Sequence, residues 1–284
     1  MTPSTITELA PAKVNLTLRV GAARPDGYHP LDSLVVFADW GDMVEVRPGS
    51  GLLLTMSGEA SRALPPDGNN LVLQAARALQ VAAGIDDGAM IRLDKQIPVE
   101  AGLGGGSADA AATLRALNRL WGLDWTLDRL AEIGLTLGAD VPACLYARPL
   151  RMRGIGEWID ILPAFDAFDA VILNPGVAVP TGPIFKAFDA ADPAPLAEAD
   201  PMGEDRLAWL RGERNDLEAS AVARHPEIAG TLDWLRGQAG VALARMSGSG
   251  ASCFALCADR ASAERVADAY DGFARAVCLT GAVR

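Results

Sequence analysis

The sequence predicts an α+β protein of two lobes, because of its length, its mixture of strand and helix patterns, and one shift in composition. With 284 residues the chain can form one large domain or two lobes with a sizeable core. Three arginines at positions 148, 151 and 153 stand in an otherwise acidic chain and mark a loop or hairpin at a lobe boundary. We therefore expect an N-terminal lobe at residues 1–150 and a C-terminal lobe at residues 151–284.

Composition excludes several classes of function. A net charge of −11 argues against a nucleic-acid surface or a polybasic membrane contact. No basic stretch followed by an apolar one opens the chain, and no apolar run approaches about 18 residues, so we expect neither a signal peptide nor a membrane span. The four cysteines form no C-x-x-C pair, which disfavours a zinc site and is typical of reduced thiols in a cytoplasmic protein.

The first element is a strand pattern over residues 5–20, which contains A-P-A-K-V-N-L-T-L-R-V at 10–20. Apolar and polar side chains alternate there, so that Val14 and Leu16 share one face while Lys13 and Asn15 share the other. From spacing alone, the face with Lys13 is interpreted as solvated.

A turn at 25–27, P-D-G, comes next, and Tyr28 and His29 follow it directly. An aromatic residue and a histidine at a turn are equally consistent with two interpretations. They pack under a loop, or they form a platform for a flat ring together with a hydrogen-bonding partner.

Strands and helices then alternate up to the middle of the chain. Strands at 34–40 and 43–47 are expected to join at a turn at Gly41 and Asp42. Another strand is predicted at 52–56, a loop at 65–70, and a helix at 71–83 that ends before Gly84. Pro98 closes a strand at 90–97, because proline cannot donate to a sheet ladder. Helices are predicted at 108–120 and, after Thr126 as N-cap, up to about residue 136.

The most informative stretch is G-L-G-G-G-S at 102–107, directly before the alanine-rich helix. Glycines adopt positive φ angles and let the backbone approach a ligand closely, and Ser107 is interpreted as the helix cap. A glycine loop that leads into a helix N-terminus presents free N–H groups beside the positive end of the helix dipole. The stretch therefore predicts an anion site, above all for phosphate.

A second informative stretch is L-G-A-D-V-P-A-C-L-Y at 137–146. Asp140 stands there in apolar surroundings, where a carboxylate is costly unless it is paired or hydrogen-bonded. Pro142 suits the first turn of a short helix, so Asp140 is either a helix cap or a functional acid, with equal support from local sequence.

The C-terminal half is predicted to mix strands and helices. A buried strand at 170–173 is followed by a segment with Thr181 and Phe185, and an acidic, mobile loop is expected at 190–203. A second glycine–serine turn runs into an apolar strand within 245–256. The remaining predicted elements are helices at 217–224, 228–238 and 261–269 and a last strand at 276–279.

Several phosphate-binding designs are excluded. The chain has no G-x-x-x-x-G-K-[ST], no G-x-G-x-x-G followed by an acid about 20 residues on, and no H-R-D or D-F-G set of the protein-kinase type. What is left is a glycine-rich cradle without an adjacent lysine, together with the separate residues Lys13 and Asp140. Phosphoryl transfer needs neutralised phosphates, a metal, in-line positioning and often a carboxylate at the acceptor hydroxyl, and these residues supply two of those parts.

Six motifs occur in one order along most of the chain. They are A-P-A-K-V-N-L-T-L at 10–18, D-G-Y-H at 26–29, P-x-x-x-G-L-G-G-G-S at 98–107, G-A-D-V-P at 138–142, N-D-L-E at 215–218 and S-G-S-G-A at 247–251. In this combination the chain resembles the GHMP small-molecule kinases. The resemblance implies an N-terminal ribosomal-protein-S5-like lobe with a glycine-rich phosphate loop, a C-terminal ferredoxin-like lobe, and an active site between the lobes.

The same resemblance implies a reaction. ATP, with Mg²⁺, would phosphorylate the 2-hydroxyl of 4-CDP-2-C-methyl-D-erythritol, a small molecule on the non-mevalonate route to isoprenoid precursors. Asp140 would be the general base and Lys13 its charged partner, while the turn at 247–251 would close on the substrate from the second lobe. The resemblance assigns the ATP phosphates to Pro98, Gly102, Leu103, Gly104, Gly105, Gly106 and Ser107. It assigns no metal ligands.

Five residues would bind the acceptor if the resemblance holds in detail. Tyr28 would stack on the cytosine ring with Phe185 on the opposite face and Thr181 nearby. His29 would hydrogen-bond the edge of the base, and Asn15 would contact the substrate near the transfer point. Each stack of a pyrimidine on an aromatic face contributes about 1–3 kcal/mol.

The sequence departs from the usual family pattern in places, and it leaves alternatives open. Ala108 stands where many relatives carry a second hydroxyl, and Ala147 and Arg148 stand where relatives usually carry glycine. Lys95 and the loop at 69–70 are candidates for the adenine pocket. Another acceptor (homoserine, mevalonate or a sugar) and a non-catalytic nucleotide-binding protein are the alternative functions. A homodimer is compatible with the sequence, and no stretch decides it.

Overall fold

The computed structural model describes residues 5–63, 69–163, 165–197 and 202–280, which form eleven strands, nine α-helices and one 3₁₀ helix. The strands are β1 Ile6–Asn15, β2 Arg19–Val20, β3 Leu31–Gly49, β4 Leu52–Ser57, β5 Gly88–Asp94, β6 Leu150–Gly154, β7 Trp158–Ile161, β8 Phe168–Asn174, β9 Val241–Met246, β10 Cys253–Cys257 and β11 Phe273–Leu279. The helices are α1 Leu71–Ala83, α2 Gly105–Leu120, α3 Leu127–Leu137, α4 Val141–Tyr146, α5 Thr181–Asp189, α6 Arg206–Gly212, α7 Glu218–Arg224, α8 Pro226–Arg236 and α9 Arg260–Ala269, with the 3₁₀ helix at Glu59–Ala63.

The strands form one continuous sheet in the order β4-β5-β3-β11-β8-β10-β9, and β1, β2 and β6 also pair with β3. Strands β4 and β5 are parallel, and the other pairs are antiparallel. The two halves of the sheet meet where Leu279 of β11 pairs with Ala38 of β3. The predicted α+β class is confirmed, and the long β3 strand connects the two lobes.

Three clusters of buried apolar side chains hold this architecture together. The first lies between the N-terminal strands and helices α1 to α4, and the second lies between strands β8 to β10 and helices α5, α7, α8 and α9. The third contains residues from both lobes, such as Val14 and Leu34 from the N-terminal strands and Ile172 and Phe254 from the C-terminal strands. Apolar burial drives packing in all three clusters. The third cluster therefore joins the two lobes.

Two helices begin and end where the local sequence predicts. Asn70 caps α1 by accepting a hydrogen bond from the Val72 N–H group at 3.0 Å, and Gly84 ends the helix with φ +64°. Thr126 caps α3 in the same way, through the N–H group of Arg129. These signals act within a few residues and therefore survive tertiary packing.

The prediction of a solvated face on the first strand is wrong. Lys13 and Asn15 are 4% and 2% exposed, and the apolar residues on the opposite face are buried as well. The segment lies between the lobes, so the glycine loop and the turn after β9 cover the side that an isolated sheet would leave to water.

The predicted turn at Gly41 and Asp42 is also wrong, because β3 runs through it without a break. A Cβ atom on Gly41 would collide with the Ala10 carbonyl oxygen and lie 2.7 Å from the Pro11 Cα, next to an irregularity in the β1–β3 register. Glycine is therefore required here for the close approach of two strands rather than for a turn. Asp42 is fully buried.

Several further boundaries differ from the expectation. Strand β5 ends at Asp94 and not at 97, and α2 begins at Gly105, so Ser107 lies inside the first turn and is not the cap. Strand β9 and helix α6 were not expected, because neither has a strong periodic pattern. The expected loops at 65–70 and 190–203 lie partly outside the described residues.

The arginine-rich segment forms a hairpin of β6 and β7, as the hairpin interpretation anticipated. Strand β6 pairs with β3 through positions from Leu31 to Val35, and Met152 packs in the first apolar cluster. The hairpin thus lies with the N-terminal strands, and the lobe boundary at residues 150 and 151 stays a prediction. In the part of the chain described here, no helix is both long and apolar enough to cross a bilayer.

Candidate active site

A cavity of about 350 Å³ opens between the lobes, and it is lined by many of the residues that the sequence singled out. They are Lys13, Asn15, Pro98, Gly102, Gly104, Gly105, Gly106, Ser107, Asp140, Thr181 and Phe185. These positions come from four separate segments of the chain, which the fold brings to one place. Leu103, Tyr28 and His29 are not among the described residues that line it.

The glycine loop forms one wall of the cavity and leads directly into α2. Gly102 and Gly104 have φ angles of +71° and +64°, a conformation that favours glycine. Gly104 is the N-cap of α2, and the N–H groups at the start of a helix have no partner within it. Gly105, Gly106 and Ser107 form the first turn, so the positive end of the helix faces the cavity. Such an arrangement binds anions, even in a protein whose net charge is −11.

Leu103 does not line the cavity, yet it positions the loop. Its side chain is buried in the cluster between the lobes, and its carbonyl oxygen accepts a hydrogen bond from the Lys13 N–H group at 2.9 Å. An apolar anchor between glycines therefore ties the loop to β1.

Lys13 and Asp140 form an ion pair, with 3.0 Å between Lys13 Nζ and Asp140 Oδ2. The Lys13 ammonium group also donates to Asn15 Oδ1 at 3.1 Å, and the lysine is almost entirely buried. Asp140 stands at the N-cap position of α4, but its side chain makes no capping hydrogen bond. The capping interpretation of Asp140 is therefore wrong, and its carboxylate, 35% exposed, faces the cavity beside the lysine.

A chain of hydrogen bonds connects this pair to the second lobe. Asn15 Nδ2 donates to Ser33 Oγ at 2.7 Å, and Ser33 Oγ donates to the Thr17 carbonyl oxygen at 2.6 Å. The Asn15 N–H group donates to Ser247 Oγ at 3.2 Å, and Ser247 Oγ donates to the Gly102 carbonyl oxygen at 3.0 Å. Ser33 and Ser247 were missed as individual residues, because isolated serines carry no local signal of their partners.

The turn at 247–251 is fixed by the N-D-L-E segment. Asn215 Nδ2 donates to the carbonyl oxygens of Met246 and Gly248 at 2.9 and 2.8 Å, and Glu218 Oε2 accepts from the Met246 N–H group at 3.1 Å. Asp216 Oδ2 accepts from the Val20 N–H group at 2.9 Å. The motif therefore holds the late turn and the early strand together.

Of the predicted acceptor residues, Asn15, Thr181 and Phe185 line the cavity, and His29 packs beside Phe185. Phe185 lines it, and the His29 ring lies 4.8 Å from the Phe185 ring, between ring centroids. Thr181 Oγ1 lies 3.0 Å from Ser249 Oγ in the late turn. Tyr28 is 58% exposed, directly after the P-D-G turn.

Lys95, a candidate for the adenine pocket, is engaged in a buried cluster of charges. Its ammonium group contacts Asp42, and it donates to Asp109 Oδ2 at 2.8 Å. Burial would lower the pKa of Lys95, but the carboxylates of Asp109 and Asp42 outweigh it and raise that pKa. Two of its three N–H donors are thus engaged, Lys95 lines the cavity, and its role in an adenine pocket stays a prediction. The role of residues 69–70 in an adenine pocket stays a prediction.

Asp42 and Asp109 both pair with Lys95, and Asp109 is the less well hydrogen-bonded of the two. Burial raises the pKa of Asp109 to about 8, although the charge of Lys95 acts against the rise. Its Oδ1 atom is buried without a hydrogen-bond partner among the described residues. Asp42 is better satisfied, since its Oδ1 atom accepts from the N–H groups of Gln96 and Ile97 at 2.5 and 2.7 Å.

We expect Asp109→Asn to flatten the pH dependence of stability. An aspartate in an unfolded chain ionises near pH 4, whereas folded Asp109 keeps its proton up to about pH 8. Between these values the folded state binds more protons, so the free energy of unfolding falls as pH rises. From pH 5 to pH 8 the wild-type protein should lose on the order of 2 kcal/mol more than the variant, measured by urea unfolding. Equal losses in both proteins would contradict this assignment.

Ala147 shows why glycine is common at its position in the family that the sequence resembles. It ends α4 with φ +46°, in the left-handed region, where a Cβ atom costs about 1–2 kcal/mol. Arg148 follows it as an exposed residue.

Comparison with known proteins identifies the family of these features. Residues 70–148 match the GHMP kinases N terminal domain, and residues 185–275 match the GHMP kinases C terminal domain. A 4-diphosphocytidyl-2-C-methyl-D-erythritol kinase from Hyphomonas neptunium is 51% identical over 264 residues, which cover 90% of this chain and 88% of that protein. The enzyme of the same name from Cereibacter sphaeroides is 49% identical over 273 residues, covering 93% and 95%.

Solved structures agree with the sequence relatives. A crystal structure of a 4-(cytidine 5'-diphospho)-2C-methyl-D-erythritol kinase superimposes with a TM-score of 0.80 at 37% identity, covering 98% of this chain and all of the other. A homoserine kinase from Cytophaga hutchinsonii matches with a TM-score of 0.69 at 22% identity, covering 99% and 96%. The second match supports the fold alone.

Proposed function

The chain belongs to the GHMP kinase family, and on that premise we propose that it transfers the γ-phosphoryl group of ATP to the 2-hydroxyl of 4-diphosphocytidyl-2-C-methyl-D-erythritol. The chain is an ATP-dependent small-molecule kinase of the non-mevalonate route to isoprenoid precursors. The observation that carries the chemistry is the ion pair of Lys13 and Asp140, at 3.0 Å, in a cavity shared with the glycine loop. An anion cradle and a charged acid–base pair in one cavity are what phosphoryl transfer requires.

The glycine loop binds the phosphates of ATP in this proposal. The free N–H groups at the start of α2 donate to phosphate oxygens, and the helix dipole adds attraction. Leu103 and the carbonyl oxygen of Gly102 are held by β1 and by Ser247, so the loop needs little rearrangement when ATP binds. Preorganised donors of this kind stabilise charge without reorganisation at the moment of reaction.

Asp140 acts as the general base. Its carboxylate takes the proton of the 2-hydroxyl, the hydroxyl oxygen forms a bond to the γ-phosphorus, and ADP departs with the electrons of the broken P–O bond. Lys13, beside the carboxylate, places a positive charge where the hydroxyl oxygen develops negative charge. Asn15 holds the lysine from the other side, at 3.1 Å.

Mg²⁺ would be held mainly by ATP itself. Among the residues described, no group of three or more histidine, cysteine or acidic side chains could hold a metal ion. Mg²⁺ in nucleotide-dependent enzymes commonly binds one or two protein oxygens together with substrate phosphates and water. Ser107, in the first turn of α2, lines the cavity and fits such a donor set. When bound, the ion would neutralise phosphate charge.

The cytidine moiety is assigned to the end of the cavity where Phe185 lies. Phe185 supplies a flat face, the His29 ring packs beside it, and Thr181 is joined to the late turn through Ser249. Tyr28 is exposed on its turn and free to cover the base when it binds. These roles are proposals that rest on family membership.

The test is a coupled ADP-release assay with ATP and Mg²⁺, in which the cytidylated methylerythritol, homoserine and mevalonate are compared as acceptors. Turnover with the cytidylated substrate alone is the expected result. Turnover with another acceptor would preserve the argument from the glycine loop and Asp140 but would discard the cytidine assignment. ATP binding without turnover of any acceptor would favour a non-catalytic nucleotide-binding protein.

A further inference from the structure

We propose that Asp189 is a positioning residue which fixes the tautomer of His29, and that this contact gives the site its preference for cytosine over uracil. The inference rests on the proposed function, because it takes the edge of the base to be the ligand of His29. Asp189 lies outside the motifs of the sequence and is the last residue of α5.

The contact joins two segments that are far apart in the chain. His29 Nε2 lies 2.7 Å from Asp189 Oδ1, within hydrogen-bonding distance. The His29 ring is tilted by 43° against Phe185, and its edge meets Phe188 with 6.1 Å between ring centroids. Its side chain is 9% exposed. Packing therefore restrains the imidazole ring, and the carboxylate selects which ring nitrogen points toward α5.

One helix supplies both the platform and the carboxylate. Phe188 and Asp189 follow Phe185 by three and four residues, so both lie on the same face of α5 as Phe185. On the other side of the contact, Asp26 Oδ1 accepts from the Tyr28 N–H group at 3.1 Å and stabilises the turn before His29. The histidine is thus held through its backbone by the turn and through its ring by α5.

An ionised carboxylate only accepts hydrogen bonds, so it selects the His29 tautomer with the proton on Nε2. In the neutral imidazole, Nδ1 then carries a lone pair and is an acceptor. Cytosine presents a 4-amino donor at the position where uracil presents a carbonyl acceptor. An Nδ1 acceptor that faces position 4 of the base therefore attracts cytosine and repels uracil, whereas the opposite tautomer would reverse this preference.

The test compares the dissociation constants of CDP and UDP by calorimetry, at about pH 8, above the range in which histidine ordinarily titrates. In Asp189→Asn the amide can donate to Nε2 as well as accept from it, so both tautomers become available. We expect the ratio of UDP to CDP dissociation constants to fall by about tenfold, which corresponds to about 1.4 kcal/mol. Asp189→Glu keeps an acceptor-only group and should restore most of the ratio.

Asp192→Asn is the matched control. It removes the same charge three residues further on, and its φ of +52° is a conformation that asparagine tolerates. This variant should keep the wild-type ratio. If Asp189→Asn also keeps it, the positioning role of Asp189 is wrong while the proposed function stands. If the wild-type protein binds neither nucleotide, or shows no preference, the inference and the cytidine assignment both fall.

Discussion

Asp140→Asn is expected to reduce kcat by about 10²–10⁴-fold, the range that general-base catalysis typically contributes. The amide has the size of the carboxylate but cannot take the hydroxyl proton, and it leaves Lys13 without its negative partner. ATP affinity should change little, because the phosphates are assigned to the glycine loop and not to Asp140. Single-turnover kinetics and a separate measurement of ATP binding would distinguish these two effects.

The substitution should also lower stability, because the buried Lys13 ammonium group loses its ion partner and keeps the hydrogen bond to Asn15 Oδ1. The Asp140 side chain makes no capping hydrogen bond, so an asparagine at the N-cap position of α4 loses nothing within the helix. Asp233→Asn, at an exposed carboxylate on α8, is the control and should have wild-type kinetics. Near-full kcat in Asp140→Asn would mean that another group takes the proton.

Gly102→Ala is expected to lower both activity and stability. A Cβ atom at this position would collide with the Ser247 carbonyl oxygen and would lie 2.7 Å from the Gly250 carbonyl oxygen. All of these are backbone atoms of the opposing lobe, which cannot rotate away as a side chain could. We expect a loss of about 2–4 kcal/mol in the free energy of unfolding, from the contact and from the positive φ angle together. A shift of about 1 Å in the loop would reduce kcat/KM by about 100-fold.

Gly84→Ala separates the cost of the positive φ angle from the cost of the steric contact. Gly84 has φ +64°, close to the +71° of Gly102, but a Cβ atom there would meet no atom within 4 Å. The control therefore carries the conformational cost alone and lies at the end of α1, away from the cavity. Urea unfolding and steady-state kinetics of both variants are the measurement. Equal destabilisation of the two variants, with activity retained in Gly102→Ala, would contradict the close approach of the lobes.

The parts of the fold that could be predicted are those with local causes. Asn70, Gly84 and Thr126 mark helix ends through hydrogen bonds and backbone conformations that involve only their neighbours. The glycine loop is also local, because glycines followed by an alanine-rich segment form the same turn and helix in many surroundings. Lys13 and Asp140 could be named from their motifs, but their contact could not be deduced from spacing across 127 residues of chain.

The predictions that were wrong concern residues whose environment is set by a distant segment of the chain. Gly41 resembles a turn residue, and only the approach of β1 reveals its use inside a long strand. Asp42 resembles a turn residue as well, yet it binds Lys95 and accepts hydrogen bonds from the Gln96 and Ile97 N–H groups. A Gly-Asp pair has the same local sequence in a turn and inside a long strand. The residues that distinguish the two structures are distant in the chain, so the local sequence does not show which one forms.

Local patterns and short motifs were enough to predict the α+β class, the phosphate-binding loop, the helix ends and the family of the chain, since each depends on residues close together in the sequence. Only the three-dimensional packing shows that the polar face of the first strand is buried, that the Asp140 side chain does not cap α4, and that Asp189 reaches His29. The physical reason is the same in each case. Burial and electrostatic pairing depend on distance in space, and the distance between two residues along a chain does not specify it.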